Sequence, residues 1–138
     1  MKRILCISIV LMIILTACAE PTQQPSAGKK YTYGLYRLDF FVAYLSGWPF
    51  GGWNFIYTYN GEEIQSGHQI LFSLELFSFH SVQVDVVERN NPKNSFTATF
   101  SVAICDGGLG KTEITVTDSN GRTATYKVTC EVTQVGKR

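Results

Sequence analysis

Few side chains in this sequence are of the types that perform acid, base or nucleophilic chemistry at a suitable spacing. The chain has two histidines, His68 and His80, and neither belongs to a nucleophile elbow or a triad-like pattern. Catalysis by a general base needs a nucleophile within hydrogen-bond reach and a third group that orients the base. We therefore expect both histidines to be ordinary residues at strand ends, and we expect the protein not to be an enzyme.

The acidic and glycine-rich stretches offer no stronger site. Glu62 and Glu63 follow a turn signal, and successive side chains of a strand point to opposite faces, so they read as edge charges. Residues 106–111 resemble a phosphate-binding loop, but such loops lead into a helix, whereas a β-rich segment follows here. Asp106 and Asp118 lack the further oxygen ligands at fixed spacing that calcium requires. We expect no metal and no cofactor.

The N-terminal segment is organised like an export signal. Lys2 and Arg3 precede an apolar run over residues 4–15, which is too short to cross about 30 Å of hydrocarbon as a helix. The next residues complete Leu-Thr-Ala-Cys at 15–18, which resembles the lipobox of bacterial lipoproteins. The resemblance implies that Cys18 becomes the first residue of the mature chain and carries the lipid that anchors it to a membrane.

An ordinary secretory signal is the alternative. Ala17 and Ala19 flank Cys18 in a small-x-small pattern, and a cut after Ala19 would discard the cysteine. The apolar run reaches almost to Cys18 without the polar spacer of an ordinary cleavage site, which favours the lipoprotein interpretation. We expect a location in the cell envelope, with the domain on the extracytoplasmic side of the membrane.

The length and net charge of the chain limit the number of domains and the class of partner. Removal of residues 1–17 from the 138 leaves 121, enough for one domain. The net charge is +1, and because Lys2 and Arg3 leave with the signal, the mature chain carries −1. Nucleic acid is therefore not an expected partner. Residues 18–30 have the Pro, Gln, Ser, Gly and Lys content of a flexible tether, and the folded domain is predicted over 31–135.

The lipoprotein interpretation accounts for Cys6 and Cys18 among the four cysteines. Cys105 and Cys130 remain in an oxidising compartment, and we predict a disulfide between them that stabilises the fold by about 3–4 kcal/mol. The alternative is two buried thiols. Cys130 is in phase with the apolar positions of its strand and Cys105 is not, so pairing needs a bulge or strand end at Cys105.

From Tyr31 onward apolar and polar residues alternate with a period of two, which is typical of half-buried strands. Asn60-Gly61 is a hairpin signal, and turns are expected at residues 90–92 and 118–121. No convincing helical period appears. Seven or eight short antiparallel strands joined by tight turns predict an all-β sandwich.

Residues 113–125 (Glu-Ile-Thr-Val-Thr-Asp-Ser-Asn-Gly-Arg-Thr-Ala-Thr) resemble the closing hairpin of bacterial Ig-like and PKD-type domains. The resemblance implies an Ig-like antiparallel β-sandwich. It transfers no functional residue, because the Trp-Asp-Phe-Gly-Asp-Gly-like stretch of PKD domains is absent.

Trp48 and Phe50 are the candidate binding residues, because they lie in a glycine-rich loop that we expect at the same end as the 118–121 turn. Loop aromatics on a rigid scaffold suit contact with a protein or a sugar. The alternative is that both rings fold back and plug the end of the sandwich. We predict a protein-binding or accessory module with an envelope protein as partner; the alternative is a carbohydrate- or cell-wall-binding module that also uses Trp53.

A dense apolar segment runs from Phe72 to Phe79 with one charged residue, Glu75. We predict a central strand and its turn here. At a sheet edge, the same segment would be a strand-addition site or an aggregation hazard.

Overall fold

The computed structural model describes residues 31–48 and 52–138. The predicted signal peptide, the predicted lipid acceptor Cys18, the predicted tether and the candidate binding residue Phe50 lie outside the described residues. The strands are β1 (Tyr33–Gly47), β2 (Trp53–Tyr59), β3 (Glu62–Ile64), β4 (His68–Ser73), β5 (Phe79–Glu88), β6 (Asn91–Ala103), β7 (Leu109–Thr117) and β8 (Thr123–Lys137).

The eight strands form two antiparallel sheets of four, with the orders β4-β1-β8-β7 and β3-β2-β5-β6. This confirms the predicted all-β sandwich. Alternating side chains of both sheets point inward, and the valines of β5 at positions 82, 84 and 86 are completely buried. Each such apolar side chain contributes about 1.5–3 kcal/mol when it leaves water.

Two predicted turns are present and follow from local backbone chemistry. Asn60 and Gly61 both have positive φ, 49° and 78°, as the tight hairpin between β2 and β3 requires. The turn between β7 and β8 is closed by the carboxylate of Asp118, which accepts hydrogen bonds from the backbone N–H groups of Asn120 and Arg122. The hairpin at residues 113–125 is therefore confirmed as a structural element.

The predicted turn at residues 90–92 is displaced toward the N-terminus. The turn lies at Arg89 and Asn90, and β6 already begins at Asn91. Pro92 is tolerated inside β6 because this strand is at the edge of its sheet, where a missing N–H costs no hydrogen bond.

The prediction of a central strand around Phe72 is wrong. β4 is the outermost strand of its sheet and ends at Ser73, so Leu76 and Phe77 lie in the connection to β5. The period of two shows which side chains share a face, but it carries no information about how many neighbours a strand has.

The predicted disulfide between Cys105 and Cys130 is not formed, because Cys130 is a free thiol that is completely buried between the sheets. Cys105 follows the end of β6, in a loop whose Gly107 N–H bonds the carbonyl of Val132, two residues along β8 from Cys130. Burial, with smaller contributions from Asp39 and Glu131, raises the pKa of the Cys130 thiol to about 12. It is therefore protonated at neutral pH.

The sandwich has two ends, which we name after a residue at each. At the Tyr31 end, Tyr33 pairs with Ser73 and the carbonyl of Thr32 accepts a hydrogen bond from Leu74. At the Trp48 end, the N–H of Trp48 donates to the carbonyl of Thr123, beside the turn that joins β7 and β8. The expected proximity of the Trp48 loop and this turn is confirmed.

Candidate binding edge on strand β1

Strand β1 is much longer than the strand that covers its outer side. It has 15 residues, whereas β4 has 6 and pairs only with Tyr33 to Leu38. On the other side, β8 pairs with β1 as far as Gly47. Two contacts close the β4 side just past the paired region: Gly67 N–H donates to the Leu38 carbonyl at 2.7 Å, and Phe40 N–H donates to the hydroxyl of Ser66 at 2.9 Å. Beyond this point, residues 41–47 have no strand on their outer side within the described chain, and we call them the open edge.

The backbone of the open edge presents hydrogen-bonding groups outward. In an antiparallel strand, the N–H and C=O of one residue point to the same side, and the side alternates along the chain. Since Leu38 and Phe40 use their groups toward the β4 side, Val42 and Tyr44 direct theirs to the same, uncovered side. Phe41 and Ala43 direct theirs to β8, with which they pair at Thr129 and Lys127.

The side chains of the open edge are apolar and exposed. The large ones are between 41 and 52 % accessible to solvent, and they are Phe41, Val42, Tyr44 and Leu45. The sequence has no charged residue between Asp39 and Glu62. Exposed edges are usually protected by charged side chains, proline or a bulge, because an open strand recruits other strands. Within residues 41–47 there is one irregularity, a register shift between Tyr44 and Ser46, and there is no charged residue or proline.

Trp48 follows the open edge and is held in place. Gly47 has a φ of 96°, and a Cβ atom there would lie 2.3 Å from the Thr123 carbonyl oxygen, so only glycine fits. The guanidinium carbon of Arg122 lies 4.9 Å from the centre of the Trp48 ring, and Asp118 binds the same guanidinium at 2.7 Å. A cation over an exposed ring is worth about 0.5–1 kcal/mol. Trp48 is 42 % exposed, so its ring does not plug the sandwich.

The aromatic residue that closes this end is Trp53. It is 7 % exposed, and its ring packs edge-on against Phe96 with the ring centres 6.0 Å apart. The use of Trp53 in a sugar-binding face stays a prediction, and its low exposure leaves little of the ring available for stacking.

Tyr44 links the open edge to the core. Its hydroxyl donates to the carbonyl of Gly47, and its ring meets Tyr126 edge-on at 6.1 Å. Tyr126 contacts Phe55 of the opposite sheet in the same way at 5.4 Å. Burial raises the pKa of Tyr126. These contacts restrict the movement of the open edge before any partner arrives.

A polar network surrounds the turns at the Trp48 end. The Glu88 carboxylate accepts hydrogen bonds from Asn94 and Ser119, and these bonds lower its pKa. Hydrogen bonds from Arg122 lower the pKa of Asp118. A cleft of about 160 Å³ lies here, lined by Gly52, Trp53, Glu88, Asn90, Asp118, Asn120 and Arg122. Both carboxylates are already engaged in holding turns together.

The structure does not bring Asp106 and Asp118 together as a calcium site. They flank β7 at its opposite ends, and a strand of nine residues spans about 30 Å. Asp106 accepts a hydrogen bond from the Gln134 N–H at 2.9 Å. Among residues 31–48 and 52–138, no group of three or more His, Cys, Asp and Glu side chains is placed to hold a metal ion.

Both histidines lie close to Tyr59, a proximity that the sequence did not reveal. The Tyr59 hydroxyl is hydrogen bonded to His80 Nδ1, and the two rings stack with centres 5.7 Å apart. The His68 ring centre is 6.4 Å from that of Tyr59, and Phe72 meets His80 edge-on at 4.8 Å. Burial lowers the pKa of His80 and raises that of Tyr59. This cluster joins β4 of one sheet to β2 and β5 of the other.

In the described part of the chain, no helix has the length and apolar character needed to cross a bilayer. Comparison of the chain with protein-family models, with curated proteins and with solved structures finds no match.

Proposed function

We propose that this chain is a lipid-anchored protein of the cell envelope, whose Ig-like β-sandwich binds a protein partner at the open edge and performs no catalysis. The observation that carries the proposal concerns the second half of β1, which among residues 31–48 and 52–138 has a neighbouring strand on one side only. It exposes apolar side chains and has no charged residue to prevent strand addition.

The binding mode that fits this edge is β-augmentation. An extended segment of the partner pairs with the outward N–H and C=O groups of Val42 and Tyr44, which supplies affinity through main-chain hydrogen bonds. Side chains that alternate along the added strand then meet Phe41 on one face and Val42 on the other, which supplies specificity. The partner segment is apolar and has no charged side chains, because the open edge offers no charged side chain to pair with them.

The lipid anchor and the open edge are compatible in space. Cys18 is separated from Tyr31 by the 12 residues 19–30, and a chain of this length reaches at most about 45 Å. β1 then runs about 45–50 Å from the Tyr31 end to the Trp48 end. An anchor at Cys18 therefore holds the Tyr31 end within about 45 Å of the membrane and leaves the open edge free to meet a partner in the envelope.

Site-specific photocrosslinking tests the binding edge. A photoreactive phenylalanine analogue replaces Phe41 in the full chain, and a second version carries it at Leu109, an exposed residue on the far edge of the same sheet. We expect a crosslinked protein from position 41 and none from position 109. Adding Val42→Pro removes the outward N–H and should abolish the crosslink at 41. Equal crosslinking from both positions, or a crosslink that survives Val42→Pro, contradicts strand addition.

The anchor has its own test. Cys18→Ser should leave an unprocessed precursor that incorporates no radioactive palmitate, whereas the unchanged chain is labelled. Equal labelling of both chains would exclude Cys18 as the lipid acceptor.

A carbohydrate-binding module is the second candidate, and the exposed Trp48 ring beside the polar cleft at the Trp48 end favours it. Sugar rings stack on aromatic faces while polar side chains bind their hydroxyl groups. Binding on a glycan array that is lost with Trp48→Ala and kept with Val42→Pro would favour this candidate over strand addition.

A further inference from the structure

A second exposed apolar group lies at the Tyr31 end, about the length of the sandwich away from Trp48. It comprises Leu76, Phe77 and Phe79, which we call the apolar tip. Leu76 is 64 % exposed, the largest value among the exposed large apolar residues of the described chain. Tyr31 and Tyr33 are exposed at the same end. Soluble proteins rarely leave several large apolar side chains together in water unless they contact something.

The apolar tip is held by the fold. Leu74 N–H donates to the Thr32 carbonyl at 3.0 Å on one side of the segment, and Ile104 N–H donates to the Ser78 carbonyl at 3.2 Å on the other. The rings of Phe77 and Phe79 meet edge-on with their centres 5.3 Å apart. The segment therefore projects from both sheets as a supported corner.

The chain that precedes the described domain indicates what covers this corner. Residues 19–30 end at Tyr31, beside the apolar tip, and connect it to Cys18. We propose that the apolar tip docks on the lipid surface of the membrane, so that the domain stands on its Tyr31 end; this inference rests on the proposed lipid anchor at Cys18. Phenylalanine, leucine and tyrosine are the residue types that enter the headgroup region, to a depth of about 5–10 Å.

The charged residues at this end are mostly positive. In the described chain, Lys137 and Arg138 lie here through their backbone contacts with β1, and Glu75 lies in the same connection as the apolar tip. Lys29 and Lys30 directly precede Tyr31 in the sequence and add two further positive charges. Attraction of such charges to anionic headgroups is screened by salt, whereas insertion of apolar side chains persists at high salt. Phosphatidylcholine vesicles, which have no net charge, therefore test insertion alone.

The natural tryptophans make the experiment specific. Trp48 and Trp53 both lie at the Trp48 end, so the unchanged protein provides a background far from the proposed contact. The full-length lipidated protein and its Phe77→Trp variant are reconstituted into phosphatidylcholine vesicles with or without brominated acyl chains. Leu45→Trp is the matched control, since Leu45 is also an exposed apolar residue but belongs to the open edge. Vesicle flotation is measured on every sample.

Brominated lipid should quench the added emission of Phe77→Trp and leave that of Leu45→Trp and of the unchanged protein unaffected. Adding Leu76→Glu to Phe77→Trp should remove the quenching while the protein still floats with the vesicles. If Phe77→Trp floats but is no more quenched than Leu45→Trp, docking is overturned and the anchor stands. If the protein does not float with the vesicles, the lipid anchor at Cys18 is contradicted, and so is the docking that depends on it. Equal quenching of both variants would mean that the domain lies flat, which also overturns docking on its end.

Discussion

The two halves of strand β1 are both rich in large apolar residues, but they have opposite environments. In the first half, Tyr36, Leu38 and Phe40 are buried, and strands pair on both sides as far as Leu38. In the second half, every residue from 41 to 47 is exposed, and among the described residues a strand pairs on one side only. The difference arises because β4 ends its pairing at Leu38. The length of the neighbouring strand thus decides whether an apolar side chain of β1 is buried in the core or exposed as a contact surface.

Leu38 and Leu45 provide the sharpest contrast, because one residue type in one strand is 0 % exposed in the first half and 44 % exposed in the second. Leu38→Ala should lower the free energy of unfolding by about 2–5 kcal/mol, since it leaves a cavity between the sheets. Leu45→Ala should change it by less than about 0.5 kcal/mol. Urea denaturation of both variants checks this, and equal losses would break the comparison.

Gly47 is the last residue of the open edge, and its substitution tests whether the backbone there packs closely against Thr123. Gly47→Ala should cost about 2–3 kcal/mol, because strain at a φ of 96° adds to the collision with the Thr123 carbonyl. Gly61→Ala is the matched control: Gly61 also has a positive φ, but nothing lies within 4 Å of the added atom. We expect the control to cost about 1 kcal/mol in thermal or urea unfolding. A loss at Gly47 no larger than at Gly61 would contradict the close contact.

Proline substitution distinguishes the side of the open edge that pairs with β8 from the uncovered side. Phe41→Pro removes an N–H that pairs with β8 and should cost about 1–3 kcal/mol. Val42→Pro removes an N–H on the uncovered side and should cost less than about 1 kcal/mol. A larger loss of stability in Val42→Pro than in Phe41→Pro would contradict our assignment of the Val42 N–H to the uncovered side.

Low pH should lower the free energy of unfolding through His80, which contacts β4, the strand that pairs with the first half of β1. Burial lowers the pKa of His80, whose ring contacts Phe72 of β4. The unfolded chain therefore binds a proton at this position before the folded chain does, and stability falls as the pH drops below about 6.5. We expect a small decrease between about pH 6.5 and 5 that is absent in His80→Gln, measured by urea denaturation at each pH. The same decrease in both proteins would assign it to other groups.

Much of the fold follows from local patterns in the sequence, and its edges do not. The alternation of apolar residues predicted the strands, and Asn60-Gly61 and Asp118 predicted two turns, because these depend on neighbouring residues. The place of β4 at an edge, the exposure of residues 41–45 and the separation of Cys105 from Cys130 depend on pairing between distant segments. Trp48 was a candidate from its glycine-rich loop. The open edge was missed, although the lack of charged residues between Asp39 and Glu62 was a usable signal.

The central claim is that residues 41–47 are an uncovered edge, and amide hydrogen exchange measured by NMR on the full chain tests it most directly. Tyr36 and Val42 direct their N–H groups to the same side of β1, but β4 covers only Tyr36. We predict slow exchange at Tyr36 and Phe41, whose N–H groups are paired, and fast exchange at Val42. Protection of Val42 equal to that of Tyr36 would show that the edge is covered, and would contradict the account.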